Sequence, residues 1–298
     1  MVLPLRTGRP GAPAPWAARL SEPGSPVCTP DWLALRESAD ASARAEDLAG
    51  GLDVWLGADA ADAGDPADLV VRDLGCGTGS MGRWLAPRLT RPQRWFLHDR
   101  DADLAHHAAA SPPPGPVRTT TAVVGDLSDL ATVDGTDVVV CSALLDLLRA
   151  PDVEHLTGLC ARAGAAALLS LSVTGEVALD PSDPLDDDVA AAFDAHQRRD
   201  SRLGPDAAGA TADAFGRRGY AVVRRASPWR LGPADAALVE EWLRGRLDAA
   251  CAQDPSLAAH AGRYLAERRE ALAVGTLRAE VGHTDLLALP PARAGGVR

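Results

Sequence analysis

The chain has 298 residues, 46% hydrophobic and 24% charged, enough for a globular protein with a sizeable core in one or two domains. A net charge of -11 and a pI near 5.1 argue against bulk nucleic acid as a partner, since its phosphates would be repelled unless arginines cluster locally. Small molecules or proteins are the expected substrates. Five cysteines, Cys28, Cys76, Cys141, Cys160 and Cys251, show neither metal-ligand nor disulfide-framework spacing, so they read as reduced, cytosolic thiols. Lysine, isoleucine and asparagine are absent and alanine is abundant, a composition that points to a GC-rich genome rather than to a function.

Seven prolines among residues 1–30 predict a flexible tail. The opening is too interrupted by proline for a signal peptide, and no later stretch has the length of a membrane span, so a soluble cytoplasmic protein is expected. Residues 31–292 read as a single domain. Asp31 is the expected N-cap of a helix carrying Trp32, Leu33, Leu35, Ala39 and Leu48. A second, short helix is expected after Gly50 and Gly51, with Leu52, Trp55 and Leu56, so that residues 31–57 form N-terminal cap helices. Residues 58–68 then make a polar loop.

Leu69, Val70 and Val71 predict a buried strand ending at Asp73. Gly75, Gly77 and Gly79 allow a tight turn, and Met81, Trp84, Leu85 and Leu89 recur at helical spacing after it. Strand, glycine turn and helix N-terminus together aim free backbone N–H groups at a nucleotide-type ligand. Gly77, Gly79 and Gly82 also fit the GxGxxG pattern of dinucleotide-binding enzymes, a weak signal by itself. Asp73 separates the alternatives. A carboxylate there repels a pyrophosphate and favours an ammonium or a sulfonium, and S-adenosylmethionine carries both.

The run of Asp73, Gly75, Gly77 and Gly79, with its LGCGTG core, resembles motif I of the class I S-adenosylmethionine-dependent methyltransferases. That resemblance implies an α/β fold: a doubly wound, Rossmann-like sheet of seven strands, mostly parallel with an antiparallel last strand. It also implies that Cys76 belongs to the cofactor-binding turn. Ahead of such a core, helices often close over the cofactor, so Trp32, Arg36 and Glu37 either face the substrate or simply pack a helix.

Residues 94–98 predict the second strand, with Asp99 at its end. An acid about 20 residues past a glycine turn suits ribose hydroxyls, in NAD and S-adenosylmethionine alike. His98 reads as a solvated loop residue, whereas Arg100 is placed to cover the adenine edge. The third strand, 117–124, runs into Gly125, Asp126 and Leu127; the family resemblance gives Asp126 the adenine amino group and Leu127 the ring. A cap for a following helix is the alternative role for Asp126.

The fourth strand, 137–141, leads into Ser142, and open parallel sheets bind ligands beyond such strand ends. In the family this chain resembles, Cys141 and Ser142 lie near the methionine half of the cofactor. Asp146 either reaches the substrate or caps a helix. A helix at 152–163 and a strand at 165–173 complete a cofactor-binding half over 69–175. Helical insertions follow at 184–203 and 233–274. His196 in the first is a candidate general base, since its ordinary pKa of about 6.5 lets it accept a proton near neutrality, or else it is an exposed helix residue. Between the insertions a helix is expected at 207–218 and a strand at 220–226, with Trp229 close to the substrate. A final strand at 276–289 and a tail at 293–298 end the chain.

The chain also resembles a group of bacterial methyltransferases in which WLALRE, SALLDLL, HQRRD, SPWRLGP and GHTDLLALP recur, here at 32–37, 142–148, 196–200, 227–233 and 282–290. The activity implied is in-line methyl transfer from S-adenosylmethionine to a small-molecule acceptor, by a monomer or homodimer with no metal and no membrane contact. Two alternatives stand beside it. An NAD-linked oxidoreductase would use Gly77, Gly79, Gly82 and Asp99 but lacks a tyrosine and lysine pair, the chain having no lysine. The other is a catalytically silent binding protein.

Overall fold

The structure, a computed structural model, describes residues 28–63, 67–127, 130, 131 and 133–291. The tails expected at 1–30 and 293–298 therefore lie almost wholly outside the described residues, as does part of the loop expected at 58–68. Helix α1 spans Pro30–Ala43. Its N-cap is Thr29, whose hydroxyl accepts the N–H of Trp32 at 3.2 Å, with Pro30 at the first helical position. Asp31, expected as the cap, lies inside the first turn instead. Helix α2 runs from Glu46 to Ala63, straight through Gly50 and Gly51 and into the expected loop. The helix tolerates both: a methyl group on Gly50 would meet nothing within 4 Å, and one on Gly51 would make an ordinary 3.5 Å contact with Leu287 of the last strand.

Strands β1 (Leu69–Leu74), β2 (Gln93–Asp99), β3 (Val117–Val124) and β4 (Val138–Ser142) alternate with helices α3 (Ser80–Leu85), α4 (Ala102–Ala110) and α5 (Ala150–Ala163). There follow β5 (Ala166–Asp180), α6 (Asp186–Gln197), α7 (Ala207–Gly216), β6 (Ala221–Ala226), β7 (Trp229–Leu231), α8 (Ala236–Gln253), α9 (Ala258–Ala273) and β8 (Arg278–Leu289). The sheet order is β3-β2-β1-β4-β5-β8-β6, with β7 also paired to β8. Strands β1 to β5 pair in parallel, and β8 is antiparallel to β5, β6 and β7. The expected seven strands are thus present along the sheet, and the three-residue β7 is an eighth that the sequence reading missed.

Helices cover both faces because the central strands are apolar on both. Val138, Val140, Ala166, Leu168 and Leu287 face α2 and α3; Val139, Cys141, Ala167, Leu169 and Leu286 face α5 and α7. This period-two division is what a buried strand pleat requires. Strand β5 runs seven residues beyond the expected end at Val173, through irregularities after Leu169 and Val173. Its second half pairs with the start of β8, from Val173 opposite His283 to Asp180 opposite Arg278. This ribbon rises past the sheet and carries the cap. Trp32 of α1 packs there with Trp229, Leu231, Trp242 and Val281, while α6, α8 and α9 share a neighbouring core around Phe193, Leu247 and Tyr264.

Candidate functional site

Beyond the carboxyl ends of β1, β2, β3 and β4 lies a cleft of about 1260 Å³, counted out to its open mouth. The sheet order reverses between β1 and β4, and the cleft sits at that switch point. Its floor is formed by Asp73 to Thr78 of the glycine turn, whose Gly75, Gly77 and following Gly79 all take positive φ. Gly77 has no room to spare, since a methyl group on it would stand 3.0 Å from Leu33 of α1. Gly79 is the N-cap of α3 and packs against Ala108 and Arg83, so it shapes the turn without lining the cleft. Gly82, third glycine of the dinucleotide pattern, packs against Pro113 and Trp95 inside α3.

Asp73 is fully buried on the cleft wall, and neither carboxylate oxygen has a hydrogen-bond partner among the described residues. Burial pushes its pKa up to about 7, against the opposing pull of Arg44. A buried, unsatisfied acid of this kind is costly unless a ligand completes it. Asp99 is held differently. Its Oδ2 accepts the N–H of Gly77 at 2.9 Å and its Oδ1 that of Asp101 at 2.9 Å, which fixes the carboxylate while leaving acceptor capacity toward the cleft. Burial raises its pKa, and the two backbone bonds oppose that rise.

Arg100, Asp126, Leu127, Cys76 and Ser142 also line the cleft, so the structure brings together nearly all the residues singled out for cofactor binding. Cys141 is the exception on β4: it is buried on the opposite face, among the side chains of α5 and α7. His98 is no solvated loop residue. It lies in β2, largely buried, lines the cleft, and contacts Arg72 Nη1 at 3.0 Å through Nε2. Burial first, and Arg72 second, push its pKa down to about 4, so the ring is neutral and Nε2 accepts from the guanidinium.

Over the cleft stands α1. Leu33, Arg36 and Asp40 line it, while Trp32 is buried behind them. Arg36 makes a two-bond pair with Asp40, at 2.8 and 3.0 Å, and its guanidinium lies 5.0 Å from the Trp229 ring centre. Trp229 in turn donates from Nε1 to Asp40 Oδ1 at 2.9 Å. Glu37 holds Arg83 at 2.6 and 2.7 Å, tying α1 to the helix that follows the glycine turn. Asp146 is buried in a turn whose neighbours Leu144 and Leu147 face the cleft, and the side chain itself does not line it. His196, half-buried at the end of α6, is also outside the cleft.

Two residues escaped sequence reading. Arg44 is buried behind the turn and donates to Ser80 and Ser142 at 3.3 and 3.0 Å. Asp285 of β8 accepts from Leu171 N–H at 2.7 Å, Ser227 hydroxyl at 2.6 Å and Ala45 N–H at 2.9 Å. An aspartate interrupting the apolar end of β8 was the only signal for the second; nothing local marks the first. Among the described residues no helix is long and apolar enough to cross a membrane, and no group of three His, Cys, Asp or Glu side chains is placed to hold a metal.

The reversed last strand separates this sheet from the all-parallel dinucleotide-binding type, and Asp73 beside the glycine turn favours a cationic nucleoside. Residues 71–165 match the family described as methyltransferase domain. That stretch, about a third of the chain, is a methyltransferase domain, and it contains the glycine turn and the strand ends that form the cleft. No curated protein matches the sequence. Among solved structures, the chain is similar to a cyclopropane synthase of Mycobacterium tuberculosis, at 14% identity and TM-score 0.42, covering 79% of this chain and 83% of that one. It is also similar to the YcgJ protein of Bacillus subtilis, at 14% identity and TM-score 0.46, over 80% and 98% of the two chains. A third is the magnesium protoporphyrin IX methyltransferase of Synechocystis with bound S-adenosylhomocysteine, at 18% identity and TM-score 0.36, over 61% and 76%.

Proposed function

We propose that the protein transfers a methyl group from S-adenosylmethionine to a small-molecule acceptor bound under α1. The observation that carries this reading is the Asp73 carboxylate, buried on the cleft wall with both oxygens unpartnered. It suits the positively charged end of the cofactor. Asp99, already oriented by two backbone N–H groups, is suited to the ribose hydroxyls, and Asp126, Leu127 and Arg100 to the adenine. Ser142, at the end of β4, lies on the methionine side.

Bound there, S-adenosylmethionine supplies an activated methyl group, and the carbon–sulfur electron pair stays on sulfur as the acceptor's lone pair forms the new bond. The chain's contribution is then mainly positional. Leu33, Arg36 and Asp40 cover the cleft, exclude water and hold the acceptor in line, an effect worth about 7 to 11 kcal/mol in well-oriented systems. Neither His196 nor Asp146 lines the cleft, so neither is given a proton-accepting role in this reading.

Isothermal titration with S-adenosylmethionine, S-adenosylhomocysteine and NAD, with Asp99→Ala as control, tests the proposal. Saturable binding of the two sulfur ligands, lost in the variant, is expected, followed by label transfer from methyl-labelled donor to a small-molecule fraction. Binding of NAD alone overturns it, and cofactor binding with label appearing only on macromolecules overturns the acceptor class.

A further inference from the structure

Trp95 and Leu97 of β2 join the core packed by α2 and α3, so the pleat turns Phe96 and His98 to the other face of the sheet. There they meet Arg72 of β1. Its guanidinium lies 4.6 Å from the Phe96 ring centre and donates from Nε to the Thr136 hydroxyl at 2.8 Å. Stacked on one side and tethered on another, it has one settled place, from which Nη1 reaches His98 Nε2 at 3.0 Å.

This contact decides the tautomer of His98. Arginine can only donate, so Nε2 must be the acceptor and the proton of the neutral imidazole sits on Nδ1. Burial first and Arg72 second hold the pKa down at about 4, so near neutrality the ring carries one fixed N–H and no free basic nitrogen. His98 is therefore a donor and not a base. The residue is 9% exposed, and Nδ1 has no hydrogen-bond partner among the described residues. Unlike Nδ1 of His283, it is not sealed off from open space. His98 lines the cleft, so its spare donor is available to whatever fills that cleft.

Its place along the sheet selects the ligand atom. His98 directly precedes Asp99, the acid suited to the ribose, and stands opposite Val123, three residues short of Asp126. It is thus set toward the ribose end of the base. In adenine N1 and N7 flank the amino group, whereas N3 is the ring acceptor on the ribose side. We propose, resting on the S-adenosylmethionine reading, that His98 donates from Nδ1 to N3 of the adenine and makes the site selective for a base with an acceptor there. A C–H group at that position would leave the buried donor facing carbon, a mismatch expected to weaken binding about tenfold. Arg72 acts through His98, by fixing which nitrogen holds the proton.

The probes are S-adenosylhomocysteine and its 3-deaza and 7-deaza counterparts, titrated calorimetrically into the full chain. Wild type is expected to bind the 3-deaza compound about tenfold more weakly than the parent, with a smaller loss for the 7-deaza compound. His98→Phe keeps a flat ring without a donor; it should bind the parent more weakly than wild type does and treat parent and 3-deaza compound alike. His98→Asn, whose amide nitrogen can stand near the place of Nδ1, should regain part of the preference. Comparing variants cancels any intrinsic difference between the probes, and a purely structural role for His98 would weaken all three ligands equally. Equal wild-type affinity for parent and 3-deaza compound, a preference that survives in His98→Phe, or a greater loss with the 7-deaza compound overturns this inference and leaves the cofactor reading standing. Failure of the wild type to bind S-adenosylhomocysteine at all overturns the cofactor reading and this inference with it.

Discussion

The backbone N–H of Gly77 donates to Oδ2 of Asp99 at 2.9 Å, so one carboxylate both faces the cleft and braces the glycine turn. Removing it therefore acts twice. Asp99→Ala is expected to lose two charge-assisted bonds to the ribose and the tether on the turn, each worth about 1.5 to 3 kcal/mol. Calorimetric affinity for S-adenosylhomocysteine should fall at least 100-fold. An unchanged affinity would remove Asp99 from the site.

Gly77→Ala probes the same turn without touching a charge. At φ +54 a side chain costs about 1 to 2 kcal/mol, and the new methyl group would press on Leu33 at 3.0 Å. Leu33 is flexible and can yield, so the fold should survive while cofactor affinity falls about tenfold. Comparing melting curves with binding isotherms separates the two effects.

Asp73 sets a pH dependence with a definite sign. Its pKa rises from 3.8 to about 7 by burial, so between those pH values the folded, ligand-free protein keeps a proton that the unfolded chain has lost. Stability should therefore fall as pH climbs through this window, by on the order of 4 kcal/mol. Cofactor affinity should move the opposite way, rising until the acid is ionised just above pH 7. Asp73→Asn should flatten both profiles. A wild-type profile already flat from pH 5 to 8 would contradict this assignment.

Asp285→Ala strands two buried backbone donors, from Ala45 and Leu171, and one hydroxyl, from Ser227. A loss of about 3 kcal/mol or more is expected, seen as a melting temperature lower by about 6 to 12 °C. Asp285→Asn keeps one acceptor oxygen and should recover part of that loss.

How much of this was legible in the sequence depended on whether the signal was local. The strands at 69–74, 93–99, 117–124 and 138–142 are short runs rich in apolar residues, the first three ending at or close to an acid, and the sequence places them to within a residue or so. Asp73, Asp99 and Asp126 fall on successive strand ends and meet in one cleft. What failed were residues whose roles depend on distant partners. Gly50 and Gly51 looked like a helix break, because the sequence does not show that β8 packs against Gly51. Strand β7 is too short to show periodicity and exists only because β8 lies beside it. Attention fell on His196 because its chemistry is versatile, yet it stands outside the cleft, whereas His98, which reads as a solvated loop residue, lines it.

The place of β8 bears on how the protein is made. It is the last element of the described chain, yet it is inserted between β5 and β6, and its Asp285 reaches back 240 residues to the junction of α1 and α2. During synthesis the first helices therefore emerge long before the strand that fixes them. Until then the apolar edge of β5 is open and the cleft has no settled roof. Such late, long-range closure slows folding and exposes strand edges to other chains. The cleft is thus among the last parts of the molecule to be completed, and a ribosome-bound chain lacking β8 has the glycine turn but not the strand that fixes the α1–α2 junction above it.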